Sequence, residues 1–153
     1  NHALGLRELA EAIDLLEGAG TVFVAGFRRS FPVATYLAYL LAQTDKRTVL
    51  VDGLAGLHLQ QTRGLDASDV SVAISFAPYS PETVALVEAA NGRCAVIAIT
   101  DSVIGPIAKD ANLVLQVRES AVRGFRSLDA SMCLAQALAI GLAARKAEPP
   151  PTA

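Results

Sequence analysis

Three hydroxyl side chains, Ser75, Ser80 and Thr83, crowd into the stretch VAISFAPYSPET (72–83), where Ser80 is followed at once by Pro81. Serine ahead of proline is a helix start: the serine oxygen accepts a first-turn N–H, and proline's fixed φ suits the first helical position. Free backbone N–H groups and the positive end of the helix dipole then face the loop, so an anion is the natural occupant. An earlier turn, GFRRS (26–30), supplies Ser30 and the guanidinium groups of Arg28 and Arg29, and a later loop holds Arg118, Arg123 and Arg126. Arginine suits phosphate because its planar fork gives paired, charge-assisted hydrogen bonds. The plainer alternative is that these arginines are surface charges and that Ser30, Ser80 and Ser127 only cap helices. Cap and ligand roles can coexist at one residue.

Acid–base chemistry is harder to assemble. Shuttling a proton between neighbouring carbons needs a base and an acid with tuned pKa values. The sequence holds two histidines, His2 at the terminus and His58 in a loose stretch after the second expected strand. Glu82 falls at the second helical position after Ser80, where a carboxylate complements the dipole whether or not it is catalytic. A dinucleotide site is a poor fit, although Gly26 follows a strand and Asp52 ends the next one. The second and third glycines that would admit a pyrophosphate are replaced here by Arg28 and Phe31.

These turns need elements to hold them. Leu6, Leu9, Ala10, Ile13 and Leu16 recur at helical spacing, with Gly18 and Gly20 ending that helix. Strands are expected at 21–25, 48–52, 70–74, 94–100 and 112–117, short and apolar without polar alternation, as in a sheet covered on both faces. Helices are expected from Pro32 to Gln43, from Pro81 to Ala90, briefly after the TDSVIGP stretch (100–106), and from a Ser127 cap towards the Pro149–Pro151 tail. Residues 53–64 read as loop with a short helix, and 118–126 as loop. Five alternations of strand and helix predict a three-layer, doubly wound α/β fold with a five-stranded parallel sheet and leave few topologies, among which the order 2-1-3-4-5 is the one expected here. The first and third turns would then face each other across the switch point, where such sheets bind ligands.

Composition sets the remaining bounds. The chain has 153 residues, 52% hydrophobic and 18% charged, with a net charge of −2. One domain is expected over 1–147, with 148–153 as a disordered tail. There is no basic field for nucleic acid, no metal-ligand spacing, and no apolar run of the ~18 residues that span a membrane. Cys94 and Cys133 read as buried thiols of a cytoplasmic protein.

The turns also carry a likeness. The sequence resembles a sugar isomerase (SIS) domain, specifically the C-terminal ligand-sensing domain of RpiR-type transcriptional regulators. Gly26 and Ser30 match the GxGxS turn of that family. Ser75, Ser80 and Glu82 match SxSGxTxE, with serine for threonine at Ser80. Ile99 to Ser102 and Gly105 to Ala108, followed by Ala111 and Asn112, follow ITxSxxSPLAxxAD. The resemblance implies a phosphosugar held by hydroxyls and amides of these turns, with Gly26, Arg28, Arg29, Ser30, Ser75, Phe76, Ser80, Glu82, Thr83 and Arg126 as the ligand set and no cofactor. It also implies a homodimer or higher homo-oligomer joined by the last helix, for which Ala135 and Ala139 are the expected close contact. Departures are Arg28 for the second glycine, Ala77 for a serine and Pro78 for a glycine. Alanine removes a hydroxyl and proline an amide donor, so side-chain guanidinium is expected to grip the anion more than backbone does. The chain opens at Asn1 rather than Met, and a DNA-binding helix-turn-helix is expected upstream, the only route to DNA. The alternative implied is a phosphosugar isomerase with Glu82 or His58 as base.

Overall fold

The computed structural model describes residues 5–122 and 125–147. Helix α1 (Leu6–Gly18) leads into β1 (Val22–Gly26), α2 (Phe31–Gln43), β2 (Thr48–Val51), a short α3 (His58–Gln61), β3 (Val70–Ile74), α4 (Pro81–Ala90), β4 (Ala95–Thr100) and β5 (Leu113–Gln116). A two-stranded hairpin, β6 (Ala121–Val122) with β7 (Phe125–Arg126), precedes the long α5 (Asp129–Ala147). The five main strands are parallel and ordered β2-β1-β3-β4-β5, the expected order.

Alternate strand residues build two cores. Val22 and Val24 of β1, Val72 and Ile74 of β3, and Ile97 and Ile99 of β4 pack with α1, α2 and α5. Phe23 and Ala25, Ala73, and Val96 and Ala98 point the other way, onto α4. That is the period-two geometry of a strand buried on both faces. Gly26 is paired with Ile74 and Ile74 with Ile99, so the turns after β1 and β3 leave the sheet at one level.

Several local expectations change. In α1, Leu6 is 85% exposed and Ala10 is exposed, while Ala12 is wholly buried; where the helix meets α5 decides which apolar stripe is used. The stretch after β4 forms turns with no helix; Gly105 and Pro106 give it turn chemistry. The loop at 118–126 contains the β6–β7 hairpin. Helix α5 starts at Asp129, where Ser127 Oγ accepts the Asp129 N–H at 3.1 Å and the Glu119 carboxylate accepts the N–H groups of Ala130 at 3.2 Å and Ser131 at 2.8 Å. Cys94 is buried as expected, but Cys133 is exposed. Ala135 and Ala139 are buried on the face of α5 that packs within the chain, where α5 meets α1 and α2, along with Ser131, Leu134, Leu138 and Leu142. Their small size therefore serves packing within the chain. His2, Arg123 and the tail at 148–153 lie outside the described residues, as does the side chain of Arg126. Among the described residues no helix is long and apolar enough to cross a membrane.

Candidate functional site

The first turn begins where Gly26 ends β1. A Cβ at Gly26 would stand 3.0 Å from the Ser30 carbonyl oxygen and 3.1 Å from Ala34 Cβ, so glycine lets α2 close tightly onto the strand. The chain then turns at Arg28, whose φ of 58° lies in the left-handed region, a conformation costly for a residue with a side chain. A single 3-10 turn, Arg28–Ser30, feeds α2. Ser30 is 3% exposed and its hydroxyl caps no N–H of α2, so capping does not explain it.

In the second turn Ser75 and Ser80 form a linked pair. Ser75 Oγ accepts the Ser80 N–H at 3.1 Å, and Ser80 Oγ accepts the Thr83 N–H at 3.3 Å while donating to Glu82 Oε1 at 2.9 Å. Ser80 is thus the expected N-cap of α4, and both serines are buried. Thr83 is wholly buried, and its Oγ1 has no hydrogen-bond partner. The loop between is anchored from β4: Asp101 accepts the Ala77 N–H at 3.1 Å and the Tyr79 hydroxyl at 2.6 Å. A Cβ on Gly105 would lie 2.9 Å from that hydroxyl, so glycine makes room for the ring.

Two arginine contacts bridge the turns. Arg29 Nη2 donates to the Ala77 carbonyl, and the Arg28 guanidinium lies 3.5 Å from Glu82. Between them is an open cleft of about 170 Å³, lined by Phe27, Arg28, Arg29, Ser30, Ser75, Phe76, Pro78 and Ser80. Of the residues singled out in the sequence, Arg28, Arg29, Ser30, Ser75, Phe76 and Ser80 meet here. Gly26 lies in the strand beneath, Glu82 sits beside the cleft and Thr83 lies inside the first turn of α4. Phe27, Tyr79 and Asp101 were not singled out for the site. Asp101 had a signal, standing in the later motif, but its partners are far off in sequence and no periodicity announces them.

Electrostatically the lining favours an anion, since it carries the guanidiniums of Arg28 and Arg29 and no carboxylate, Glu82 and Asp101 lying beside it. The Glu82 carboxyl is held below the usual carboxylate range, first by its own backbone N–H and then by the Ser80 hydroxyl, with the charges of Arg28 and His58 adding to this. His58 packs edge-on against Phe27, with ring centroids 6.0 Å apart. Among the described residues no group of His, Cys, Asp and Glu could hold a metal ion.

The sequence profile of the SIS domain matches residues 15–141. The chain belongs to the SIS domain family. Solved structures agree on the fold. The sugar isomerase domain of an RpiR transcription factor from Sphaerobacter thermophilus superimposes with a TM-score of 0.88 at 24% identity, over 93% of this chain and 80% of that one. The Vibrio vulnificus NanR protein, complexed with ManNAc-6P, gives 0.76 at 19% identity, over 94% of this SIS domain but 56% of the longer chain. A Methanococcus jannaschii protein whose structure was taken to infer a 3-hexulose-6-phosphate isomerase gives 0.77 at 16% identity, over 92% and 78%. No curated protein matches. At these identities the likeness is one of fold, and SIS structures of this kind come from regulators and isomerases alike.

Proposed function

We propose that this SIS domain binds a phosphosugar between its first and third turns and serves as the effector domain of an RpiR-type transcriptional regulator, with DNA binding carried by another domain. The observation that carries the reading is the meeting of buried Ser30, Ser75 and Ser80 with Arg28 and Arg29 at the starts of α2 and α4. Hydroxyls, paired guanidiniums and helix N-termini are the donors that a phosphoryl group recruits. The NanR protein, which shares this fold and is complexed with ManNAc-6P, supports this ligand class. Control of DNA binding through a ligand calls for paired DNA-reading heads, so the domain self-associates. Helix α2 and residues 130–144 of α5 carry no charged residue at all, which supports burial of their outer faces.

The isomerase reading has one observation in its favour: His58 and Glu82, both candidate bases, stand near the same cleft. A general base works best with a pKa near the working pH, and the Glu82 environment drives its pKa the other way, which favours sensing. The test is calorimetric melting with a panel of sugar phosphates, the same sugars without phosphate, and inorganic phosphate. A phosphorylated ligand at 100 times its Kd adds about 2.7 kcal/mol, or several degrees, and the free sugar adds nothing. No shift with any phosphorylated compound overturns the reading, and steady turnover of the bound one moves the assignment to the isomerase.

A further inference from the structure

Glu82 uses two of the donors that an anion in the cleft would seek. Its carboxylate accepts the Ser80 hydroxyl at 2.9 Å and lies 3.5 Å from the Arg28 guanidinium, and both donors line the cleft. Arg28 reaches it from a left-handed backbone, φ 58°, and a side chain kept in such a conformation beside a cleft is a mark of function. The pair is also easy to part, since the two side chains are 62% and 35% exposed and exposed ion pairs contribute little. A carboxylate at the second position of α4 suits the helix dipole, but the dipole alone does not require it to take up Ser80 and Arg28.

We propose that Glu82 is a built-in competitor: in the empty domain its carboxylate stands in for the ligand's anion on Ser80 and Arg28. A phosphoryl group entering the cleft takes both donors and turns the carboxylate outward by like-charge repulsion. The inference rests on the phosphosugar reading of the same cleft and assigns Glu82 the opposite sign from a ligand contact or a base. The carboxylate weakens binding, so that the domain answers only to a ligand abundant enough to displace it.

The experiment is isothermal titration of the whole domain, as wild type, Glu82→Gln and Arg28→Met, with inorganic phosphate and with glucose 6-phosphate, after the melting temperature of each variant shows that it folds. Removing one negative charge beside the ligand tightens binding of both probes by about tenfold in Glu82→Gln. Arg28→Met, which takes away the donor handed over to the ligand, weakens binding by about tenfold or more. Equal or weaker binding by Glu82→Gln, with wild type binding normally, overturns the competitor role and leaves the phosphosugar reading in place. Binding by none of the three removes both. Should Glu82→Gln fail to fold, Arg28→Met decides, because unchanged affinity there means the ligand never takes the donor that Glu82 holds.

Discussion

Thr83 carries a hydroxyl with no hydrogen-bond partner although the residue is wholly buried. Burying such a group unpaired is costly, so Thr83→Val is expected to stabilise the ligand-free domain by about 1 kcal/mol, read as a higher denaturation midpoint. Ser75 behaves in the opposite way. Its oxygen is the acceptor for the buried Ser80 N–H, and Ser75→Ala leaves that donor unsatisfied. Chemical denaturation should show a loss of about 1–3 kcal/mol even with no ligand present. Both hydroxyls were visible in the sequence as polar punctuation after an apolar strand. The difference between them was not, because it depends on which backbone N–H each oxygen meets once the turn has closed.

Helix α5 shows what patterning can and cannot say about an element. Its existence and length were readable, since a long run without glycine clusters or proline ends only near the Pro149–Pro151 tail. Its buried face was legible only in part: the stripe of Leu128, Met132, Ala135, Ala139 and Leu142 includes the buried Ala135, Ala139 and Leu142, but residues 130–144 are apolar or small nearly all round, and a helix with so little polar side gives a weak periodic signal. The packing of α1 and α2 selects Ser131, Leu134, Ala135, Leu138, Ala139 and Leu142. Ala135 is wholly buried there, so Ala135→Leu should overpack the seam and cost about 1–3 kcal/mol in urea denaturation. The defect is in the stability of the single chain and does not depend on protein concentration, as a broken dimer contact would. The start of α5 was half-legible: Ser127 announced it, while the Glu119 carboxylate that accepts the Ala130 and Ser131 N–H groups reaches back across the hairpin and leaves no local signature.

At the scale of the molecule, the doubly wound parallel class was legible because short, uncharged strands separated by helices admit few right-handed arrangements, and the order 2-1-3-4-5 is one of those few. The bridges across the switch point did not follow, since Arg28 to Glu82 and Arg29 to Ala77 join segments that become neighbours only when β3 pairs with β1. Carboxylates distributed over the fold give it a definite response to acid. Asp52, bonded first by the Gln61 side chain and then by the Leu54 N–H, Asp66, bonded by Ser68, and Glu82 are all held below the ordinary carboxylate range. Their folded values lie below their unfolded ones. The stability they add is therefore complete above the unfolded range, about pH 4 to 4.5, and lost as pH falls through the lower folded values. The melting temperature should be level from neutral pH down to about pH 5 and drop below about pH 4; a decline already evident between pH 7 and 6 would contradict this. The loop over the cleft also carries its own optical probe. The chain has three tyrosines and no tryptophan, and Tyr79 donates to a carboxylate at 2.6 Å, an arrangement that quenches phenol emission. Any change that loosens the Tyr79–Asp101 contact will brighten the protein's intrinsic tyrosine fluorescence, so the state of this loop can be followed with no label attached.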